Sequence, residues 1–134
     1  MTSAEDAVRI QAAGADGIYV SNHGGRQLDS APPAITVLPK VRAAVGADYP
    51  LIFDSGIRSG DSVIKALALG ADFVMLGRPF LYATAAAGQK GLTDVIEALT
   101  NEISVTMAQV GRTDINQIDS SVLVLRQEWS DGNP

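Results

Sequence analysis

Residues 21–29 combine side chains that together suit the recognition of a small organic acid; the segment reads Ser-Asn-His-Gly-Gly-Arg-Gln-Leu-Asp. His23 is the single histidine of the chain, and imidazole is the side chain best suited to exchange a proton near neutral pH. Arg26 carries a permanent charge and a fork of donors that matches a carboxylate. The two glycines between them allow a sharp turn or the close approach of a ligand. The alternative interpretation is a loop histidine beside a solvated arginine.

Three apolar runs, at 17–20, 50–53 and 73–76, predict the strands that precede the polar loops. Apolar residues at helical spacing predict a helix that is capped by Thr2 or Ser3 and ended by Gly14. The same spacing predicts further helices over about 35–45, 61–69 and 92–110. Continuous apolar strands that alternate with helices indicate an α/β fold, with parallel strands buried on both faces.

Right-handed crossovers place the carboxyl ends of parallel strands on one side, so the three loops that follow these strands are expected to meet. The second loop carries Arg58 between Gly56 and Gly60, and the third begins with Gly77 and Arg78. Backbone N–H groups at a helix start, together with arginines, bind phosphate. The two loops therefore predict a phosphate site beside the histidine loop, in either an α/β barrel or an open α/β sheet.

The composition is that of one globular domain, or of part of one. Of 134 residues, 46% are hydrophobic and 19% charged, enough to form a core. A net charge of -5 disfavours binding to nucleic acid. The lack of cysteine excludes disulfides, thiolate metal sites and a cysteine nucleophile, and a single histidine excludes a multi-histidine metal site, so no metal is predicted. Residues 1–6 resemble no signal peptide, and no apolar run approaches the ~20 residues of a membrane span.

Three segments resemble, in order, the signature of the FMN-dependent 2-hydroxy-acid dehydrogenases and oxidases, a family that includes glycolate oxidase, lactate dehydrogenases and mandelate dehydrogenase. They are residues 21–29, the FMN-phosphate region with Asp-Ser-Gly-Ile-Arg-Ser-Gly at 54–60 and Ala-Leu-Ala-Leu-Gly-Ala-Asp at 66–72, and residues 76–82. The likeness runs from about Ser3 to Ile118. It implies that residues 1–118 are the last three βα units, strands six to eight, of a TIM (β/α)8 barrel, followed by a tail at 119–134.

The resemblance also implies roles for individual residues. His23 would be the active-site base that takes a proton from a lactate-like 2-hydroxy acid as it is oxidised to a 2-oxo acid, and Arg26 would bind the substrate carboxylate. FMN would be bound by Ser21 beside the flavin, Asp54 at the ribityl chain, and at the phosphate end by Ser55, Gly56, Ile57, Arg58, Gly77 and Arg78. Position 55 is serine where many members of the family have glycine.

Family members carry five further strands, with a lysine beside the flavin, an aspartate that partners the histidine, and tyrosines that help to bind substrate. We therefore expect this chain to be part of a longer enzyme, to form a homo-oligomer, or to pair with a chain that carries those strands. Three units cannot close a barrel and should expose strand edges and apolar faces. Little turnover is expected of the chain alone. The resemblance implies a cytoplasmic location. For the full enzyme, peripheral attachment to the inner membrane is an alternative.

Two other functions remain open at this point. One is a non-catalytic half-barrel that self-associates and binds phosphate or flavin weakly. The other is a different flavin or nucleotide barrel, similar to IMP dehydrogenase or isopentenyl-diphosphate isomerase. The absence of cysteine argues against the IMP dehydrogenase type, which needs a thiolate nucleophile, and residues 23–29 argue against both.

Overall fold

The computed structural model describes residues 3–124, which form three parallel strands covered on one face by helices. The strands are β1 (Ile18–Val20), β2 (Leu51–Phe53) and β3 (Phe73–Val74). They lie in the order β1-β2-β3, with Ile18 opposite Leu51 and Ile52 opposite Phe73. The predicted parallel sheet is confirmed, although β3 is shorter than the predicted run. The sequence after Val124, which includes most of the predicted tail, lies outside the described residues.

Four helices connect and flank the strands, with one short 3₁₀ turn between β1 and α2 and two more after α4. The helices are α1 (Ala4–Ala12), α2 (Ala34–Val45), α3 (Gly60–Ala68) and α4 (Arg78–Gln109), and the 3₁₀ turns are His23–Gly25, Ile115–Gln117 and Ser120–Val122. At the start of α1, the Ser3 hydroxyl accepts the N–H of Asp6 at 3.3 Å, as the sequence predicts. The α2 helix ends where Gly46 takes a φ of +89°, a conformation that glycine adopts without steric cost.

The long helix α4 differs from the prediction, because it begins at Arg78 rather than near Leu92. It bends at Ala87 and Gly88, whose backbone angles are not helical. Residues 80–91 are rich in alanine and glycine and carry little apolar periodicity, so the pattern gave no signal there. The one available signal was Pro79, which fits the first turn of a helix because that turn needs no N–H donor.

The strands bury one face and expose the other, so the expectation of burial on both faces is wrong for this sheet. Side chains such as Val20 and Phe53 point into a core shared with α1, α2 and α3, and are fully buried. On the opposite face, Tyr19, Ile52 and Phe73 are 43%, 36% and 62% exposed. This exposed apolar face agrees with three units that cannot close a barrel.

Arg42 on α2 clamps the amino-terminal edge of the sheet. Its guanidinium donates hydrogen bonds of 2.7–2.9 Å to the carbonyls of Gly46, Ala47, Tyr49 and Gly70. It also pairs with Asp72 Oδ2 at 2.6 Å, and the same oxygen accepts the N–H of Leu51 at 2.8 Å. One side chain therefore fixes the approach to both β2 and β3.

We expect Arg42→Ala to lower the free energy of unfolding by about 2–4 kcal/mol, because several carbonyls and a carboxylate lose a charged donor together. Urea denaturation followed by circular dichroism measures the change. Arg9→Ala is the matched control, since Arg9 makes an exposed pair with Asp6 that is worth no more than about 1 kcal/mol. Equal effects of the two substitutions would contradict the clamp.

Candidate active site

A cavity of about 530 Å³ lies at the carboxyl-terminal edge of the sheet. Each of the three loops that follow the strands contributes to its walls, as the topology predicts. It is lined by His23, Gly24, Gly25, Arg26, Asp54, Ser55, Gly56, Ile57, Arg58, Met75, Leu76, Gly77, Arg78 and Leu81. The structure thus brings together every predicted site residue except Ser21, whose Oγ lies 3.5 Å from the Ser55 Oγ.

The histidine loop forms a tight turn in which three consecutive residues have positive φ. The values are +55° at His23, +63° at Gly24 and +76° at Gly25. The Ser21 hydroxyl accepts the backbone N–H of His23 at 3.0 Å, which fixes the start of the turn. The His23 side chain is exposed toward the cavity, and within residues 3–124 no carboxylate hydrogen-bonds to its imidazole.

Asp54 follows β2 and accepts two side-chain hydroxyls. The Tyr19 hydroxyl donates to Oδ2 and the Ser55 hydroxyl to Oδ1, both at 2.8 Å. Burial alone would raise the pKa of the Asp54 carboxyl. Hydrogen bonds from Ser21, Ser55 and Tyr19, with the nearby charge of His23, outweigh burial and hold that pKa below its ordinary value. The carboxylate is therefore ionised throughout the neutral range.

Arg26, Arg58 and Arg78 all face the cavity and remain without an acidic partner. Among residues 3–124, the other arginines form ion pairs, namely Arg9, Arg42 and Arg112. Arg58 donates only to the carbonyl of its neighbour Ile57, at 2.7 Å. Three exposed and unpaired cations around one cavity, in a chain of net charge -5, create a local site for an anion.

Glycines in the walls of the cavity leave room for the arginine side chains and for a ligand. A Cβ at Gly24 would lie 2.7 Å from Nη2 of Arg78, so the two loops approach closely here, and the φ of +63° at this position favours glycine. Gly56, at a φ of +89°, and Gly77 have open space where a side chain would project. Both glycines are exposed and line the cavity. Ile57, which is buried, anchors the loop between them.

The start of α3 is already capped by a protein carboxylate, a contact that the sequence did not indicate. The N–H of Gly60 donates to Glu102 Oε2 of α4 at 2.6 Å. A Cβ at Gly60 would also lie 2.6 Å from the carbonyl carbon of Glu102, so the two helices meet at this glycine. The Gly60 N–H therefore already has an acceptor. An anion would have to bind to the loop that precedes α3, around Gly56 and Arg58.

Residues 1–125 match the family model described as FMN-dependent dehydrogenase. The chain belongs to this family. The assignment confirms the predicted resemblance, and it favours this family over the IMP dehydrogenase and isopentenyl-diphosphate isomerase types. The predicted flavin cofactor and oxidoreductase class are confirmed at the level of the family.

Curated relatives of this FMN-dependent dehydrogenase chain include oxidases and dehydrogenases. An L-lactate oxidase of Alicycliphilus denitrificans is 50% identical over 119 residues, which cover 89% of this chain and 33% of the relative. A peroxisomal (S)-2-hydroxyacid oxidase of Arabidopsis thaliana is 51% identical over 114 residues, 85% of this chain and 31% of the relative. An L-lactate dehydrogenase of Serratia proteamaculans is 50% identical over 121 residues, 90% and 31% of the two chains. The chain spans about a third of the length of these relatives.

Solved structures show the same relation. An (S)-mandelate dehydrogenase, described as a monotopic membrane protein, superposes with a TM-score of 0.89 at 47% identity, covering 92% of this chain and 33% of that one. A mandelate oxidase variant with the monooxide FMN adduct superposes at 0.82 with 48% identity, covering 86% and 37%. The parallel sheet with its helices is consistent with part of a barrel. Within residues 3–124 no helix is long and apolar enough to cross a membrane, and the location of the protein stays a prediction.

The contact between Tyr19 and Asp54 gives a direct test of the site's electrostatics. Burial, the hydrogen bond to Asp54 and the charge of that carboxylate raise the pKa of Tyr19 to about 12. In Asp54→Asn, the pKa of Tyr19 should fall below that value and stay above its ordinary one, because burial persists. NMR of tyrosine labelled at the ring Cζ, assigned with Tyr19→Phe, measures the shift.

Asp94→Asn is the matched control, since it removes an exposed carboxylate that pairs with Lys90 on α4. It should leave the titration of Tyr19 unchanged. Identical Tyr19 titrations in the unaltered chain and Asp54→Asn would contradict the described contact.

Proposed function

We propose that this chain supplies the phosphate end of an FMN site, together with the base and the carboxylate clamp, of an enzyme that oxidises a lactate-like 2-hydroxy acid to a 2-oxo acid. The observation that carries the proposal is the cavity in which three unpaired arginines meet His23. Residues 1–118 correspond in this proposal to strands six to eight of the barrel with their helices, and 119–134 to a tail.

The cavity fits the polar end of FMN in size and in chemistry. Its volume lies within the range of about 300–1,000 Å³ that is usual for cofactor sites. Arg58 and Arg78, with the N–H groups of Gly56 and Gly77, would hold the phosphate as charge-assisted donors. Asp54 would accept a ribityl hydroxyl, and Ser21 would lie beside the flavin. Bound FMN would supply the acceptor for the two electrons that leave the substrate.

His23 and Arg26 line the same cavity and would have complementary roles toward the substrate. The Arg26 guanidinium would bind the carboxylate through two parallel hydrogen bonds, which orients the 2-hydroxy carbon. The exposed His23 imidazole would take a proton from that substrate. Support comes from relatives named L-lactate oxidase, (S)-2-hydroxyacid oxidase and (S)-mandelate dehydrogenase, names that share a small 2-hydroxy acid as substrate.

We propose further that the 134-residue chain alone turns over little substrate. Within residues 3–124 no carboxylate hydrogen-bonds to the His23 imidazole, and a base without such a bond is less well oriented. The exposed side chains Tyr19, Ile52 and Phe73 would line a barrel interior, so we propose self-association, or pairing with a chain that carries further strands, as the way to cover them. A non-catalytic module is not favoured, because the relatives at about 50% identity are named as oxidases and dehydrogenases.

FMN binding tests the proposal. The purified chain should quench FMN fluorescence, and Arg58→Gln or Arg78→Gln should each weaken binding about tenfold, since each removes one charged donor from the phosphate. Arg9→Gln is the matched control, because Arg9 lies on α1, is not among the residues that line the cavity, and is paired with Asp6. Addition of L-lactate to the complex should bleach the flavin slowly or not at all.

Two results would contradict the proposal. One is an FMN affinity that is equally low in the unaltered chain and in both cavity variants. The other is an affinity that falls as much in Arg9→Gln as in Arg58→Gln, which would indicate general charge attraction in place of a site. Rapid bleaching by lactate would overturn the proposed inactivity alone.

A further inference from the structure

Ser55 has a backbone conformation that its residue type disfavours. Among residues 3–124, only two residues other than glycine have positive φ, His23 at +55° and Ser55 at +82°. Both line the cavity. Such a conformation costs a non-glycine residue of order 1–3 kcal/mol and persists where surrounding contacts enforce it. The contacts that enforce it at Ser55 are therefore informative about the site.

The Ser55 hydroxyl connects the loop after β2 to the histidine turn after β1. It accepts the N–H of Asn22 at 3.3 Å and the N–H of Gly24 at 3.2 Å, the residues on either side of His23. It donates its own hydrogen to Asp54 Oδ1 at 2.8 Å. A hydroxyl offers one donor and two acceptor positions, so these three bonds use its whole capacity.

The bridge joins segments that are distant in sequence and adjacent in space. The accepted N–H groups lie 33 and 31 residues from Ser55 along the chain. A serine that only ended β2 would satisfy its hydroxyl locally or with water. A glycine at this position would adopt the backbone angle at lower cost and would leave the two N–H groups without this acceptor.

We propose that Ser55 is a positioning residue, whose hydroxyl fixes the turn at His23 relative to Asp54 and the rest of the loop that follows β2. The hydroxyl acts on His23 through the two flanking N–H groups, without contact with the imidazole. The importance of these Ser55 hydrogen bonds for catalysis rests on the proposed function, because the exact placement of His23 matters only where it takes a proton from a substrate. The structural part of the proposal stands on the hydrogen bonds alone.

The test uses two substitutions at one position. Ser55→Ala removes the hydroxyl and keeps the Cβ, whereas Ser55→Gly removes both and suits the φ of +82°. Ser62→Ala is the matched control, since its hydroxyl bonds to that of Ser59 near the start of α3. In both Ser55 variants the amide exchange rates of Asn22 and Gly24 should rise about tenfold, the loss expected for one hydrogen bond.

A second readout reports on His23 itself. As the single histidine, it gives imidazole C–H signals that need no further assignment. These signals should shift in both Ser55 variants and stay in place in Ser62→Ala. The pKa of Asp54 should rise in both Ser55 variants, because the carboxylate loses a donor, and carbon NMR of its carboxyl group measures this.

Unchanged amide exchange and unchanged His23 signals in Ser55→Gly would overturn the proposal. Should Ser55→Ala fail to fold, Ser55→Gly decides the question, because glycine is unstrained at this φ. All three readouts use the chain without FMN. Loss of protection in the variants, combined with no FMN binding by the unaltered chain, would therefore uphold Ser55 as a positioning residue while refuting the proposed function.

Discussion

The parallel register of three very short strands determines where every candidate site residue lies. β1 and β2 have three residues each and β3 has two, yet their pairing brings three carboxyl ends to one edge. The three loops begin at this edge and therefore lie next to one another. The opposite edge is held by Arg42, which bonds to carbonyls of two connections and to Asp72. Stability and chemistry are thus divided between the two edges, as in parallel α/β folds generally.

Electrostatics separates the cavity from the remainder of this acidic chain. Elsewhere in residues 3–124 the arginines are paired with carboxylates, whereas Arg26, Arg58 and Arg78 are not. The one carboxylate among the lining residues, Asp54, is held by hydroxyl donors in place of an arginine. The cations therefore stay available for an external anion. Backbone strain at His23 and Ser55 falls in the same place, which is usual for functional sites.

Sequence patterns predicted the strands, three of the helices and the three loops that line the cavity, because continuous apolar runs and Gly-Arg loops are local signals. They could not predict contacts between distant segments. The bonds from Arg42 to Gly70 and Asp72, the bond from Gly60 to Glu102 and the Ser55 bridge each join residues at least 20 positions apart. The first part of α4 was missed because its Ala-rich sequence lacks periodicity. Burial of both strand faces was overestimated, because the strand pattern carries no information on whether the sheet closes.

Transfer of this chain into a relative is the sharpest test of whether its cavity forms part of an FMN-dependent active site. Residues 3–118 would replace the matching third of the Alicycliphilus denitrificans L-lactate oxidase, to which the chain is 50% identical. This chimaera should retain FMN and oxidise L-lactate. In the chimaera, His23→Gln should lower kcat by about 10²–10⁴-fold while FMN stays bound, with Arg9→Gln as an unaffected control. A chimaera that binds FMN but oxidises no 2-hydroxy acid, or that keeps full activity in His23→Gln, would contradict the proposed role of this chain.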